Sequence, residues 1–151
     1  MQSRIRKAPK IYFSFRSPFS WLGIEAALRR RPELISTCAW IPYFDPSAAT
    51  SAALAAAGGS FHYVQMSKAK HLYILQDAKR LCDKYGEQMS WPVDIAPVWE
   101  VPHLAWLAAE PEQRYDVYRS IVAMRWGLGA DICDPELLAE RLAADGLDPS
   151  L

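Results

Sequence analysis

Ser17-Pro18-Phe19-Ser20 places two hydroxyl side chains at the spacing of a C-x-x-C pair, with oxygen where a redox protein carries sulfur. In a dithiol site the first cysteine sits at a helix N-terminus, because free N–H groups and the helix dipole stabilise its thiolate. Serine forms no mixed disulfide, so dithiol oxidoreductase chemistry is not expected at this turn. A serine hydroxyl can instead donate a hydrogen bond to an incoming thiolate, and the same helix end stabilises that anion. Ser17 is equally a plain N-cap, since Ser before Pro is a common helix start. Ser20 reads as helix surface. Arg16 could attract an anion to the helix start, with a solvated side chain as the ordinary alternative.

Other candidates stand further along. Lys70 and Tyr73 lie i, i+3 on one helix and could face a cleft, where the lysine would hold a substrate carboxylate. The alternative is a solvated lysine beside a core tyrosine. His62, His71 and His103 have no metal-ligand spacing and read as surface or satisfied helix histidines. Trp91, Trp99 and Trp106 read as packing for the helical region, or else as an aromatic wall for a planar ligand. Cys38, Cys82 and Cys133 are an odd, widely spaced set. They offer neither a zinc knuckle nor a dithiol pair and read as small buried hydrophobes. No metal is expected.

The elements that must position these residues follow from the pattern. Lys10 to Phe15, aromatic and β-branched, predicts a first strand. Ser17-Pro18 opens a helix that Pro32 closes, and Leu34 to Tyr43 predicts a second strand with Ile35, Cys38, Trp40 and Tyr43 buried. A strand–helix–strand crossover is the unit of a parallel sheet. After residue 45 the periodicity is helical throughout. An Ala-rich helix begins at Asp45-Pro46 and stops at Gly58-Gly59. A long amphipathic helix runs from Gln65 to Tyr85 and is capped by Gly86. A loop over Met89 to Pro102 precedes three further helices, Pro102 to Ala109, Glu112 to Gly127 and Pro135 to Asp145. The last starts cleanly, with Asp134 as N-cap and Pro135 at the first helical position.

Composition bounds the function. The 151 residues form one domain by length, and 51% of them are apolar, six being tryptophan. Lys and Arg together number 17, as do Asp and Glu, so the formal net charge is zero, which argues against nucleic acid as the main partner. The basic start, Met1 to Lys10, reads as a frayed tail and not a secretory signal. No apolar run approaches the roughly 20 residues of a membrane span. Sparse cysteine and no readable leader point to the cytoplasm. Two short parallel strands leave open edges, which a second copy in a homodimer would cover.

The sequence resembles the 2-hydroxychromene-2-carboxylate isomerase and kappa-class glutathione transferase family, within the wider DsbA-like thioredoxin group. The residues that carry the resemblance are Ile11-Tyr-Phe-Ser-Phe-Arg-Ser-Pro-Phe-Ser-Trp-Leu22, then Ala69-Lys70 through Tyr73 to Asp77-Ala-Lys-Arg80. Trp91-Pro92 and Trp126-Gly-Leu-Gly-Ala-Asp-Ile-Cys-Asp-Pro135 also match, so nearly the whole chain is covered. The resemblance implies an α/β, partial thioredoxin-like fold in a single domain over residues 1–151. Its strand–helix–strand portion would occupy residues 10–43 and a helical insertion residues 45–146, with the C-terminal β–β–α half and its cis-proline loop missing. It also implies glutathione as cofactor, held near Ser17, Pro18 and Phe19, with Ser17 aligning the thiolate. The substrate would be a small unsaturated aromatic or polyketide-like carbonyl compound, isomerised as a thiolate adds, a bond rotates and the thiolate leaves. Lys70, Tyr73 and Trp91 are the candidates for its contacts. The isomerases it resembles hold substrate through asparagine, and this sequence contains none. The alternative is a shortened, non-catalytic member that serves as a binding or assembly subunit.

Overall fold

The computed structural model describes residues 8–63 and 66–147. The basic segment up to Lys7, the expected helix start at Gln65 and the tail from Asp148 lie outside the described residues. β1 (Lys10–Phe13) and β2 (Ala39–Pro42) pair in parallel, with Ile11 opposite Trp40 and Phe13 opposite Pro42. β1 is shorter than the six residues its composition predicts, because side chains capture the next two amides. The Ser14 N–H donates to Ser20 Oγ at 3.0 Å and the Phe15 N–H to His103 Nε2 at 3.1 Å, so neither remains for a ladder.

Between the strands runs α1 (Pro18–Arg30), with Ser17 as N-cap, Pro18 in its first turn, and Trp21, Leu22, Ile24 and Leu28 buried. The expected second strand is corrected in its first half. Leu34–Thr37 is a short helix, α2, whose Ser36 and Thr37 hydroxyls donate back to the Glu33 carbonyl at 3.3 and 2.8 Å, a local bond that competes with extended structure. Pro42 closes β2 with its nitrogen turned away from β1, and the Tyr43 amide after it still donates to the Phe13 carbonyl at 2.7 Å. Tyr43, expected in the core, is 48% exposed, and Cys38 is only half-buried.

The helices follow in order. α3 (Ala48–Ala56) is capped by Ser47, two residues after the expected start, and buries none of its residues. α4 (Lys68–Tyr85) starts at Ser67 and ends on Gly86, whose φ of 69° is the left-handed conformation glycine tolerates best. α5 (Glu100–Ala108) begins two residues before Pro102. α6 (Arg114–Val122) runs on into a π-helical turn, Ala123–Gly127. α7 (Pro135–Ala144) starts as its sequence predicts, with the Asp134 carboxylate accepting from the Glu136 and Leu137 amides. The core forms where β1 meets α1, α5 and α6. The Phe13 ring lies edge-on to Trp106 at 4.9 Å and to Tyr118 at 5.7 Å, and Trp21 of α1 stacks on Trp126 at 5.7 Å. None of the described helices is long and apolar enough to cross a membrane.

Candidate functional site

A cleft of about 790 Å³ opens beside the β1–α1 turn. Ser17, Pro18 and Phe19 border it from the turn, Lys70 and Tyr73 from α4, and Trp91 from the loop after α4, so it gathers all six residues singled out in the sequence. Its volume lies within the range of about 300–1,000 Å³ usual for small-molecule sites.

The turn is built by short hydrogen bonds. Ser17 Oγ accepts the Ser20 amide at 3.3 Å, and the Ser17 amide donates to the Ser14 carbonyl at 3.2 Å. Accepting that amide leaves the Ser17 O–H free to donate, so capping and thiolate alignment are compatible uses of one hydroxyl. Pro18 has no amide, and the Phe19 N–H donates to no described acceptor. The positive end of the helix dipole therefore faces the cleft with one free amide beside one free hydroxyl. Ser20, expected on the surface, is half-buried and holds the Ser14 amide.

Two arginines border the cleft, and both are neutralised. Arg16 pairs with Asp45, reaches the Tyr63 hydroxyl at 3.3 Å and lies over the Tyr63 and Trp99 rings. It is thus a half-buried, paired side chain and not a free anion trap. Arg125, presented by the π-helical turn, is almost wholly buried. Its two terminal nitrogens donate to the two Asp94 oxygens at 2.9 and 3.0 Å, and its guanidinium lies between the Trp99 and Trp126 rings. Lys70, exposed on α4, has no ion-pair partner among the described residues.

The aromatic residues divide. Trp99 and Trp106 are buried, as packing residues should be. Trp91 is 44% exposed, stands edge-on to Trp126 at 6.1 Å and belongs to the wall of the cleft. Tyr73, 58% exposed, is not a core residue. His62 and His71 are exposed, whereas His103 is sealed, with its Nδ1 2.6 Å from the Trp99 carbonyl. Of the cysteines, Cys82 and Cys133 are buried, and burial raises both thiol pKa values, Cys133 to about 12. Both stay protonated, and neither borders the cleft. Among the described residues no group of three or more His, Cys, Asp or Glu could hold a metal ion.

Sequence reasoning missed Arg125 and Asp94. They are 31 residues apart, and an arginine inside the apolar run Ala123-Met-Arg-Trp126 was the one available signal.

The sequence matches no protein-family model, and no curated protein matches it significantly. Among solved structures it is similar to a 2-hydroxychromene-2-carboxylate isomerase, at 22% sequence identity and a TM-score of 0.58. The likeness covers 93% of this chain and 66% of the isomerase chain, slightly less than two thirds of that protein's length. The fold expected from the resemblance is borne out: the chain is a partial DsbA-like fold, in which a two-stranded parallel sheet and its helices share the architecture of that isomerase.

Proposed function

We propose that the cleft is the site of a thiol-dependent isomerase, with glutathione as the thiol and an unsaturated aromatic or polyketide-like carbonyl compound as substrate. The observation that carries this reading is the Ser17 hydroxyl, which caps α1 and keeps its proton free at the mouth of the cleft. When bound, the thiol supplies the nucleophile that adds to an unsaturated carbon and leaves after rotation. The protein's share is electrostatic. Ser17 O–H and the Phe19 amide hold the sulfur as an anion at the helix end, and Pro18 keeps the turn rigid. Lys70 takes a carboxylate of either ligand, while Tyr73 and Trp91 flank the planar part of the substrate. The residues present suit the sulfur end of the cofactor, where the Ser17 hydroxyl and the Phe19 amide border the cleft.

The test is a cis–trans isomerisation assay with 2-hydroxychromene-2-carboxylate and related unsaturated aromatic acids, with and without glutathione. Turnover that requires the thiol supports the reading. No turnover, together with no calorimetric binding of glutathione, would overturn it and favour a binding or assembly role.

A further inference from the structure

Beside the Arg16–Asp45 pair, one buried side chain of α5 joins the end of β1 next to the Ser17 turn. His103 of α5 is fully buried. Its Nδ1 lies 2.6 Å from the Trp99 carbonyl, an acceptor, so Nδ1 carries the proton and donates it there. Its Nε2, left bare, accepts the Phe15 amide at 3.1 Å across 88 residues of sequence. Phe15 stands two residues before Ser17. The ring also stacks on Phe44 at 4.4 Å and packs against Phe15 at 4.9 Å. Phe44 precedes Asp45, the carboxylate that holds Arg16. One imidazole thus touches the strand end, the residue before Asp45 and the N-cap residue of α5.

We propose that His103 is the positioning residue of the site, its neutral Nδ1–H tautomer fixing the end of β1 and thereby the place of the Ser17 hydroxyl at the cleft. This rests on the reading of Ser17 given above, although the placement itself is testable without a ligand. A protonated ring would present N–H to the Phe15 N–H, and the strand end would have to move. The charged groups that face the ring are Asp45, which favours the imidazolium, and Arg125, which opposes it, and each is held in its own ion pair. Burial dominates and keeps the ring neutral down to about pH 4.

The test is amide NMR of three proteins: wild type, His103→Phe and His103→Gln. Phenylalanine keeps the aromatic packing and has no acceptor, whereas the glutamine carbonyl can again accept the Phe15 amide. In His103→Phe the Ser17 and Phe19 amide signals should shift and the Phe15 amide should exchange faster with solvent. In His103→Gln both should return toward wild type. Unshifted Ser17 and Phe19 signals in a folded His103→Phe protein would overturn the proposal. If His103→Phe does not fold, an acid titration of the wild type decides. Movement of the Ser17 and Phe19 signals together with His103 protonation supports the proposal, and independent movement overturns it. Adding millimolar glutathione to the same wild-type sample separates the two readings. Signals that respond to His103 but not to glutathione keep the positioning role and remove the thiol site.

Discussion

At the scale of single residues, the chemistry rests on a hydroxyl that serves two masters. Because Ser17 both caps α1 and keeps a free proton, stability and turnover are expected to fall together in Ser17→Ala. The lost cap costs about 1 kcal/mol. The lost donor lowers turnover roughly 10²-fold or more, as for one preorganised hydrogen bond. Ser17→Thr, which keeps a hydroxyl, should recover most of both. Thermal melts run beside the isomerisation assay check this, and a loss of stability alone would reduce Ser17 to a cap. The sealed imidazole of His103 makes a different prediction. Its folded pKa, about 4, lies below the ordinary value of 6.5, so between those values the unfolded chain binds a proton that the folded chain refuses. Its contribution is therefore complete above about pH 6.5 and is lost as pH falls toward 4, a loss on the order of 3 kcal/mol. Denaturant titrations at several pH values should show this slope in the wild type and a flatter one in His103→Phe.

At the scale of elements, the starts of α1 and α7 and the end of α4 were legible because each depends on a local pair: Ser17 with Pro18, Asp134 with Pro135, Tyr85 with Gly86. The length of β1 was not, because the groups that end it, Ser20 and His103, act from other elements. The segment Leu34–Thr37 misled for a local reason, since its apolar residues fit extended and helical spacing alike and hydroxyl bonds to Glu33 decided the matter. All six candidate site residues line one cleft, yet of the ion pair that braces its wall the sequence offered only Arg125 amid apolar residues, with nothing to point to Asp94. That pair predicts an asymmetry. Arg125 is 3% exposed and Asp94 29%, so Asp94→Asn leaves a guanidinium buried without its counter-charge, at about 3–5 kcal/mol. Arg125→Met leaves a carboxylate that water can reach, and should cost clearly less. Denaturant unfolding of both variants checks this, and equal losses would mean that the ring stacking of Arg125, and not its charge, carries the wall.

At the scale of the whole molecule, the question is what covers the sheet. Strands of six and ten residues would have left many amides open, whereas strands of four leave few. The Pro9 and Phe13 carbonyls accept from the Ala39 and Tyr43 amides, so by alternation the backbone of Lys10 and Tyr12 faces the other edge of β1, where Tyr12 is 61% exposed. A two-fold dimer closing that edge is the expected state at micromolar concentration, and sedimentation or light scattering tests it. A monomer whose β1 amides resist hydrogen exchange would assign the cover to the chain's own helices. The distribution of the six tryptophans has one more consequence. Trp21, Trp99, Trp106 and Trp126 are sealed in the core and Trp40 is half-buried, so Trp91, at the rim of the cleft, is the indole that meets the most water. Its emission should lie to the red of the others, and iodide should quench it first. Filling the cleft would shield that one fluorophore, shifting the emission to the blue and blunting the quenching. The chain thus carries its own optical gauge of occupancy, one that Trp91→Phe would silence while leaving the buried indoles glowing.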